Sequence, residues 1–258
     1  MNIIGIIPAR MASTRFPNKS LAHILGMPML GHVYYRSKMS VLLSEVYIAT
    51  CDQEIVDYAR SIGGKTILTK TTHKRASDRA AEALLKIEQE NGQRVDIVVM
   101  IQGDEPMVTP EMVDLAVNAL LEDSSVKVSN LVAPLLNKEE HEDPNEVKVV
   151  VDKQNNALYF SREPIPSRKK GVDNVPMYKQ VCIIPFRRDF LLMFNALEVT
   201  PLEAVESIDM LRVLEHGYKV RMIHTNICSY SVDTPEDLAR VEVLMKDDRL
   251  TKKYLKGM

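Results

Sequence analysis

The chain has 258 residues, 45% of them hydrophobic, which is enough for one α/β domain with its own core. Its 33 Lys and Arg residues nearly balance 35 Asp and Glu residues, so the sequence argues against a protein that binds nucleic acid through a basic surface. The spacing of the three cysteines fits neither a zinc site nor a disulfide framework. No apolar run has the length of a membrane span, and we expect a soluble cytoplasmic protein.

Apolar runs alternate with amphipathic stretches through the first half of the chain. The predicted strands are 2–7, 45–50, 65–69 and 95–101, and the predicted helices are 28–40, 52–62, 76–91 and 109–122. Such alternation is typical of βαβ units around a parallel sheet. Asp52 is the predicted N-cap of the second helix, and Pro110 is placed at the first position of the fourth.

The second half of the chain has a different rhythm. Short strands are predicted at 126–134, 146–151, 157–161 and 178–186 without helices between them, followed by a helix at 201–217, a strand at 219–224 and a helix at 234–246. We expect a mobile surface loop at 167–176 and a peripheral or frayed helix after residue 246. The pattern predicts a single domain over 1–258 with a smaller antiparallel lobe, at about 130–200, inserted in it.

Polar residues follow the first predicted strand, where a parallel sheet usually binds its ligand. Arg10, Ser13, Arg15 and Lys19 all lie just beyond residue 8. Arginine binds phosphate through paired hydrogen bonds and lysine adds a mobile point charge. These residues predict a site for a polyphosphate, with an ordinary solvated basic loop as the alternative.

Two carboxylates stand at places where a metal could be bound. Asp104 comes after the predicted strand with the apolar run 97–101, and Asp233 follows the run 227–232, directly before a predicted helix. Carboxylates can meet a triphosphate through Mg²⁺, which is usually held by one or two carboxylates and phosphate oxygens. For Asp233 the alternative is a helix N-cap. Asp237 is expected to interact with the helix dipole, and Glu105 is only an outer-sphere candidate.

Six motifs occur in an order that is typical of one enzyme family. They are P-A-R-x-x-S-x-R-x-P-x-K at 8–19, Q-G-D-E-P at 102–106, D-P-N with V-K-V-V at 143–150, A-L-Y-F-S-R at 157–162, P-L-E at 201–203 and V-D-T-P-E-D-L at 232–238. Together they closely resemble the cytidylyltransferases that activate 3-deoxy-manno-octulosonate (Kdo). The resemblance covers nearly the whole chain.

The resemblance implies a Rossmann-like nucleotidyltransferase fold and a CTP-dependent enzyme. Such an enzyme transfers CMP from CTP to the anomeric hydroxyl of a 3-deoxy sugar acid, releases pyrophosphate and serves cell-surface polysaccharide or lipopolysaccharide biosynthesis. The family also implies a homodimer, with the lobe at 130–200 contributing to sugar binding and dimerisation. The residues it assigns to the nucleotide are Arg10, Ser13, Arg15, Lys19, Ser77 and Asp78, of which Arg15 and Lys19 would act in catalysis with the Mg²⁺ ligands Asp104 and Asp233.

For the acceptor the resemblance nominates five residues, which are Gln102, Arg162, Gln180, Glu203 and Glu206. A sugar acid needs at least one cation for its carboxylate and several hydrogen-bonding groups for its hydroxyls. From helical spacing alone, Glu203 and Glu206 would be a solvated face. Ser77 or Asp78 could likewise simply cap the following helix.

The sequence departs from the family pattern at two places. Arg75 and Ala76 stand where the family has serine and glycine in the nucleotide loop, and Gln180 and Ile184 stand where it typically has histidine and tyrosine. The second pair predicts that Kdo is not the best acceptor, because a site that loses hydrogen-bonding groups discriminates differently. The alternatives are a nucleotidyltransferase for another acceptor (a nonulosonate, a modified Kdo or a sugar phosphate) and a catalytically silent nucleotide-binding regulator.

Overall fold

The computed structural model describes residues 1–13, 16–169 and 176–255. The strands are β1 (Ile3–Pro8), β2 (His23–Ile24), β3 (Met27–Pro28), β4 (Glu45–Thr50), β5 (Lys65–Leu68), β6 (Ile97–Ile101), β7 (Ser129–Pro134), β8 (Lys148–Val151), β9 (Ala157–Ser161), β10 (Tyr178–Val181), β11 (Ile183–Arg187) and β12 (Arg221–His224). The helices are α1 (Met29–Ser37), α2 (Gln53–Ser61), α3 (Ala76–Asn91), α4 (Pro110–Glu122), α5 (Lys138–Glu142), α6 (Arg188–Ala196), α7 (Pro201–Glu206), α8 (Asp209–Glu215), α9 (Pro235–Lys246) and α10 (Arg249–Leu255).

The chain forms two compact units. Unit 1 combines Met1–Asp114 with Ser229–Met258, and unit 2 is the continuous stretch Leu115–Cys228. Among the described residues, no helix combines the length and the apolarity that a membrane span would need.

Unit 1 contains the predicted parallel sheet, in the order β6-β1-β4-β5. Strand β1 lies in the middle, where Ile4 is paired with Glu45 on one side and with Val98 on the other. Residues 3–7 are buried throughout, as expected for a strand that is covered on both faces. All eight elements predicted for the first half of the chain are present, with shifts of a few residues at their ends.

Unit 2 contains a mixed sheet in the order β12-β7-β10-β8-β9. Only the β12–β7 pair is parallel in this sheet, and the pairs β7–β10, β10–β8 and β8–β9 are antiparallel. The predicted strand 178–186 is two strands, interrupted at Cys182. The predicted helix 201–217 is also two helices, because Ser207 takes a left-handed backbone conformation with φ 57°. Helices α5 and α6 were not predicted.

The segment after residue 246 is better packed than the sequence predicts. Thr251 and Tyr254 of α10 are buried within unit 1. Arg36, which is 1% exposed, donates to the carboxylate of Asp248, to Thr251 Oγ1 at 2.8 Å and to the carbonyl oxygen of Val108 at 3.3 Å. Through residue 255, therefore, the prediction of a peripheral or frayed helix is wrong. Most of the loop predicted at 167–176 lies outside the described residues.

Candidate active site

The loop after β1 is tied to its neighbours through the backbone. The amide of Ala9 donates to the carbonyl oxygen of Ala49 at 2.9 Å, and the amide of Met11 donates to Asp52 Oδ2 at 2.7 Å. Asp52 is at the N-cap position of α2 as predicted, but its carboxylate serves this loop rather than the helix. Ser20 Oγ adds a bond to the carbonyl oxygen of Arg10 at 3.1 Å. These bonds hold the loop at the carboxyl end of the central strand.

Lys19 brings together the two carboxylates predicted as metal ligands. It begins a short 3₁₀ turn, Lys19–Leu21. Its Nζ donates to Asp104 Oδ2 at 2.8 Å and to Asp233 Oδ1 at 3.0 Å. The three side chains are 13%, 25% and 15% exposed in that order. Residues far apart in the sequence therefore form one partly buried cluster, and all three belong to unit 1.

Asp104 is positioned by the close approach of two strand ends. A Cβ atom on Gly103 would lie 3.2 Å from the carbonyl oxygen of Pro8, so glycine allows the turn after β6 to pass beside the end of β1. The carbonyl oxygen of Asp104 accepts from the amide of Val232 at 2.9 Å. Gln102 is half-buried in the same turn, and its carbonyl oxygen accepts from the amide of Glu105.

The segment that carries Asp233 is fixed on both sides of that residue. Before it, Ser229 Oγ donates to Glu105 Oε2 at 2.6 Å, and Glu105 is 5% exposed. After it, Thr234 is the N-cap of α9, and Asp237 Oδ2 accepts from the amides of Asp233 and Thr234 at 3.0 and 2.9 Å. The N-cap alternative for Asp233 is therefore wrong, and its carboxylate faces Lys19.

A common apolar core supports this cluster. Its fully buried members are Ile24, Met29, Val232, Val241 and Met245, and Phe16, Leu25, Met107, Tyr230 and Leu238 pack against them. Phe16 belongs to the loop of Lys19, and Val232 directly precedes Asp233. Packing thus links the loop after β1 to the segment that leads into α9, which restricts the distance between the ammonium and the carboxylate.

The electrostatics of the cluster favour a cation between the carboxylates. Burial disfavours the Lys19 ammonium, but attraction by Asp104 and Asp233 and the hydrogen bonds to both outweigh it, so the pKa of Lys19 lies above its ordinary value of 10.5. Among the described residues there is no group of three or more His, Cys, Asp or Glu side chains arranged to hold a metal. Asp104 and Asp233 both direct a carboxylate oxygen at one cation, the Lys19 ammonium. Such a pair fits Mg²⁺, which takes its remaining ligands from phosphates and water.

The other residues predicted to bind nucleotide differ in their surroundings. Arg10 is exposed, Ser13 Oγ accepts from the amide of Phe16 at 3.4 Å, and Arg15 lies outside the described residues. Ser77 is completely buried, so its side chain belongs to the protein interior. Asp78 Oδ2 accepts from the amide of Arg75 at 3.3 Å. Asp78 therefore caps α3, which is the alternative role that the sequence offered for it.

In unit 2 the structure brings Arg162 and Glu206 together. Glu206 Oε2 accepts from the amide of Arg162 at 2.8 Å, and its Oε1 accepts from Ser161 Oγ at 2.7 Å. The Arg162 guanidinium donates to the carbonyl oxygens of Glu206 and Pro144 at 2.8 and 2.9 Å. The Arg162 guanidinium is thus positioned by neutral acceptors. Because these acceptors do not neutralise it, its positive charge is available to an anion.

Lys148 stabilises the same region and was not predicted. Its side chain is buried, and its Nζ donates to the carbonyl oxygens of Asp143 and Glu146 at 2.7 and 2.8 Å and to that of Arg162. Desolvation lowers the pKa of Lys148. The motif V-K-V-V showed that this lysine stands in a strand, but the three carbonyl partners become visible only in the fold.

Glu203 does not lie on a solvated face. It is completely buried, and its two carboxylate oxygens each accept from Arg212, from Nε and Nη2, both at 2.6 Å. Arg212 itself is 3% exposed. A carboxylate that is committed in this way to a buried guanidinium is a structural group, and we do not retain Glu203 as a ligand of the acceptor.

The two positions that depart from the family pattern are differently placed. Gln180 is half-buried in β10, and its amide nitrogen donates to Asn130 Oδ1, while Asn130 donates to the carbonyl oxygen of Val181 at 2.6 Å. Ile184 is 3% exposed and belongs to the core. Its burial gives no support to the prediction that Ile184 faces the acceptor.

Known proteins resemble this chain over most of its length. A family model described as cytidylyltransferase matches residues 4–223. The 3-deoxy-manno-octulosonate cytidylyltransferase of Geobacter metallireducens is 43% identical over 251 residues, which cover 93% of this chain and 96% of that protein. The 3-deoxy-manno-octulosonate cytidylyltransferase of Syntrophotalea carbinolica is 41% identical over 254 residues, which cover 95% of this chain and 99% of the relative.

A solved structure agrees with these relatives. It is described as CMP:2-keto-3-deoxy-manno-octonic acid synthetase complexed with CTP, and it matches with a TM-score of 0.87 at 34% identity, covering 95% of this chain and 99% of that one. The predicted fold class, α/β with a mostly parallel central sheet and a smaller, largely antiparallel lobe, is confirmed. The chain belongs to the cytidylyltransferase family and, within it, to the 3-deoxy-manno-octulosonate cytidylyltransferases.

Proposed function

We propose that this protein transfers CMP from CTP to the anomeric hydroxyl of Kdo and releases pyrophosphate. The observation that carries the proposal is the cluster of Lys19, Asp104 and Asp233 at the end of the parallel sheet. It combines a phosphate-binding cation with two carboxylates for a hard metal ion, in a chain whose relatives are named for this reaction. The product would feed cell-surface polysaccharide synthesis. The homodimer and the cytoplasmic location stay predictions.

The chain's own residues would act mainly by positioning and by charge. Lys19 and the exposed Arg10 would bind the phosphates of CTP, with Arg15 as a further candidate. Asp52 binds the amide of Met11 and Ser20 Oγ binds the carbonyl oxygen of Arg10, so the backbone next to both cations is fixed before the nucleotide arrives. The anomeric hydroxyl would lose its proton to water as its oxygen attacks the α-phosphorus. The bond between the α-phosphorus and the oxygen that bridges to the β-phosphorus breaks, and its electron pair leaves with pyrophosphate.

Asp104 and Asp233 would hold Mg²⁺. The ion, when bound, would neutralise phosphate charge and lower the pKa of the attacking hydroxyl. The two carboxylates already share one cation, Lys19 Nζ, so their oxygens are no farther apart than the sum of its two hydrogen-bond lengths. Two carboxylates that meet at one cation are the feature of the chain that suits the proposed role.

On the acceptor side, Gln102, Arg162, Gln180 and Glu206 remain the candidates. Arg162 is the most suitable partner for the carboxylate of the sugar, because its guanidinium is positioned by neutral carbonyl oxygens. Glu206 would act by fixing Arg162 and Ser161. Gln102 shares the turn of Asp104 and could donate to a sugar hydroxyl from there.

Kdo is the acceptor we now favour. The prediction of a different sugar acid rested on Gln180 and Ile184, and Ile184 is buried in the core. The relatives named for Kdo do not favour the other acceptors or a silent regulator. The departure at Gln180 remains, and it makes the choice of acceptor worth measuring.

The test is a pyrophosphate-release assay. We expect CTP with Kdo and Mg²⁺ to be the best combination among four nucleotides and a panel of Kdo, amino-substituted and longer-chain sugar acids. Asp104→Asn and Asp233→Asn should each lower kcat/KM at least about a hundredfold, since each removes a charged ligand of the metal. Asp96→Asn is the matched control, because Asp96 is exposed near the opposite end of β6 and bonds the amide of Asn2.

The proposal fails if Mg²⁺-dependent turnover is unchanged in both variants. A clear preference for UTP would move the chain to another nucleotide specificity. A clear preference for another sugar acid would restore the prediction made from Gln180.

A further inference from the structure

We propose that Lys19 is the counter-cation of the carboxylate pair Asp104 and Asp233 when no nucleotide is bound. In this role its ammonium competes with the divalent metal, and the pair binds metal well only when CTP offers phosphate oxygens to the displaced ammonium. This inference rests on the proposed function for the identity of the site. It adds an order of binding, with metal and nucleotide arriving together.

The geometry places the ammonium where a bridging metal would bind. Lys19 Nζ lies 2.8 Å from Asp104 Oδ2 and 3.0 Å from Asp233 Oδ1, so it occupies the position between these two oxygens. A Mg²⁺ ion bonds its oxygens at about 2.0–2.1 Å, and an ion that bridges the same two oxygens would need that position. Binding of a metal by these two oxygens therefore requires the ammonium to move.

The charges make that movement unfavourable in the absence of nucleotide. Both hydrogen bonds join charged groups, and the side chains of Lys19 and Asp233 are only 13% and 15% exposed. Charge-assisted bonds are about twice as strong as neutral ones, and partial burial limits their screening by salt. Without CTP, the displaced ammonium would exchange two carboxylates for water while remaining close to the incoming cation.

The chain provides a route for the displaced group. Lys19 stands at the end of the loop that follows β1, next to the segment predicted to bind the phosphates. A lysine side chain has four flexible methylene groups, so its ammonium can change partner while the backbone stays in place. The bond of the Met11 amide to Asp52 and that of Ser20 Oγ to the carbonyl oxygen of Arg10 hold the two ends of that loop during the exchange.

The experiment measures metal affinity without nucleotide. Mn²⁺ is titrated into the full-length protein and into three variants, and free Mn²⁺ is read from its electron paramagnetic resonance signal. Lys19→Met removes the competing charge and keeps an unbranched side chain that is only one atom shorter. We expect it to bind Mn²⁺ at least about tenfold more tightly than the wild type, the factor that corresponds to one charge-assisted hydrogen bond. Lys19→Arg keeps the charge and should retain the weak binding.

The third variant, Lys19→Met with Asp233→Asn, should lose the gain, which assigns the added affinity to the carboxylate pair. Thermal unfolding with and without Mn²⁺ on the same proteins supplies a second measurement and verifies that each is folded. Equal Mn²⁺ affinity for the wild type and Lys19→Met would overturn the inference. If Asp104→Asn and Asp233→Asn also kept full activity in the pyrophosphate assay, the proposed function itself would fail, and the two failures are thus separate.

Discussion

The buried pair Glu203–Arg212 allows a quantitative prediction that separates a structural carboxylate from a sugar ligand. Glu203→Gln keeps the shape of the side chain but leaves the guanidinium of Arg212 without its negative partner. The two hydrogen bonds measure 2.6 Å each, and the side chains are 0% and 4% exposed. Removing one member of such a pair typically costs about 3–5 kcal/mol, because the other charge remains buried.

For a chain of this size the loss corresponds to a fall in Tm of roughly 6–20 °C. Glu142→Gln is the control, since Glu142 forms an exposed pair with Lys138 at 3.5 Å and should change the free energy of unfolding by less than about 1 kcal/mol. The double variant Glu203→Leu with Arg212→Met should recover most of the loss, because it removes both charges.

The assay is thermal unfolding followed by circular dichroism, with the KM for Kdo measured well below the transition. We expect a lower Tm for Glu203→Gln with little change in KM among the folded molecules. An unchanged Tm combined with a raised KM for Kdo would refute this reasoning and would return Glu203 to the acceptor site.

Two further predictions concern unit 1. Ser229→Ala removes the bond to Glu105 and loosens the segment of Asp233, so the KM for Mg²⁺ in the pyrophosphate assay should rise about tenfold with kcat less affected. Ser44→Ala, at the other end of β1, is the control and should leave both constants unchanged. Burial lowers the pKa of His32 to about 4, so as the pH falls the unfolded chain takes up a proton near pH 6.5, before the folded protein does. The free energy of unfolding of the wild type should therefore fall by about 2 kcal/mol between pH 7 and pH 5. Urea midpoints at the two pH values should differ less in His32→Asn, and an equal difference would exclude this histidine as the cause.

The sequence was sufficient where a local pattern determines the structure. The apolar run at residues 2–7 marks a central strand, and polar residues after strand ends meet at one edge of a parallel sheet, which is why Lys19 and Asp104 could be expected near each other. Asp233 was grouped with them only through the resemblance of its motif to the family, because residues 225–233 form no strand. The helix at 76–91 was placed correctly by its amphipathic spacing.

The errors share a physical cause, which is that the partner of a side chain was distant in the sequence. Asp52 had the position of an N-cap, but its carboxylate binds Met11, 41 residues away. Glu203 had the spacing of a solvated face, but Arg212 from the next helix neutralises it in the core. The segment after residue 246 has few apolar residues, and its packing depends on Arg36.

The discontinuity of unit 1 has a consequence for protein synthesis. Unit 2 lies between the two stretches of unit 1, so Asp233 is translated 214 residues after Lys19. At about 5–20 residues per second, the ribosome needs roughly 10–40 s to cover that interval. During this time the loop of Lys19 and the strand before Asp104 can already fold, but the second carboxylate does not yet exist. The nascent chain therefore cannot assemble the cluster of Lys19, Asp104 and Asp233 until the segment leading into α9 has emerged.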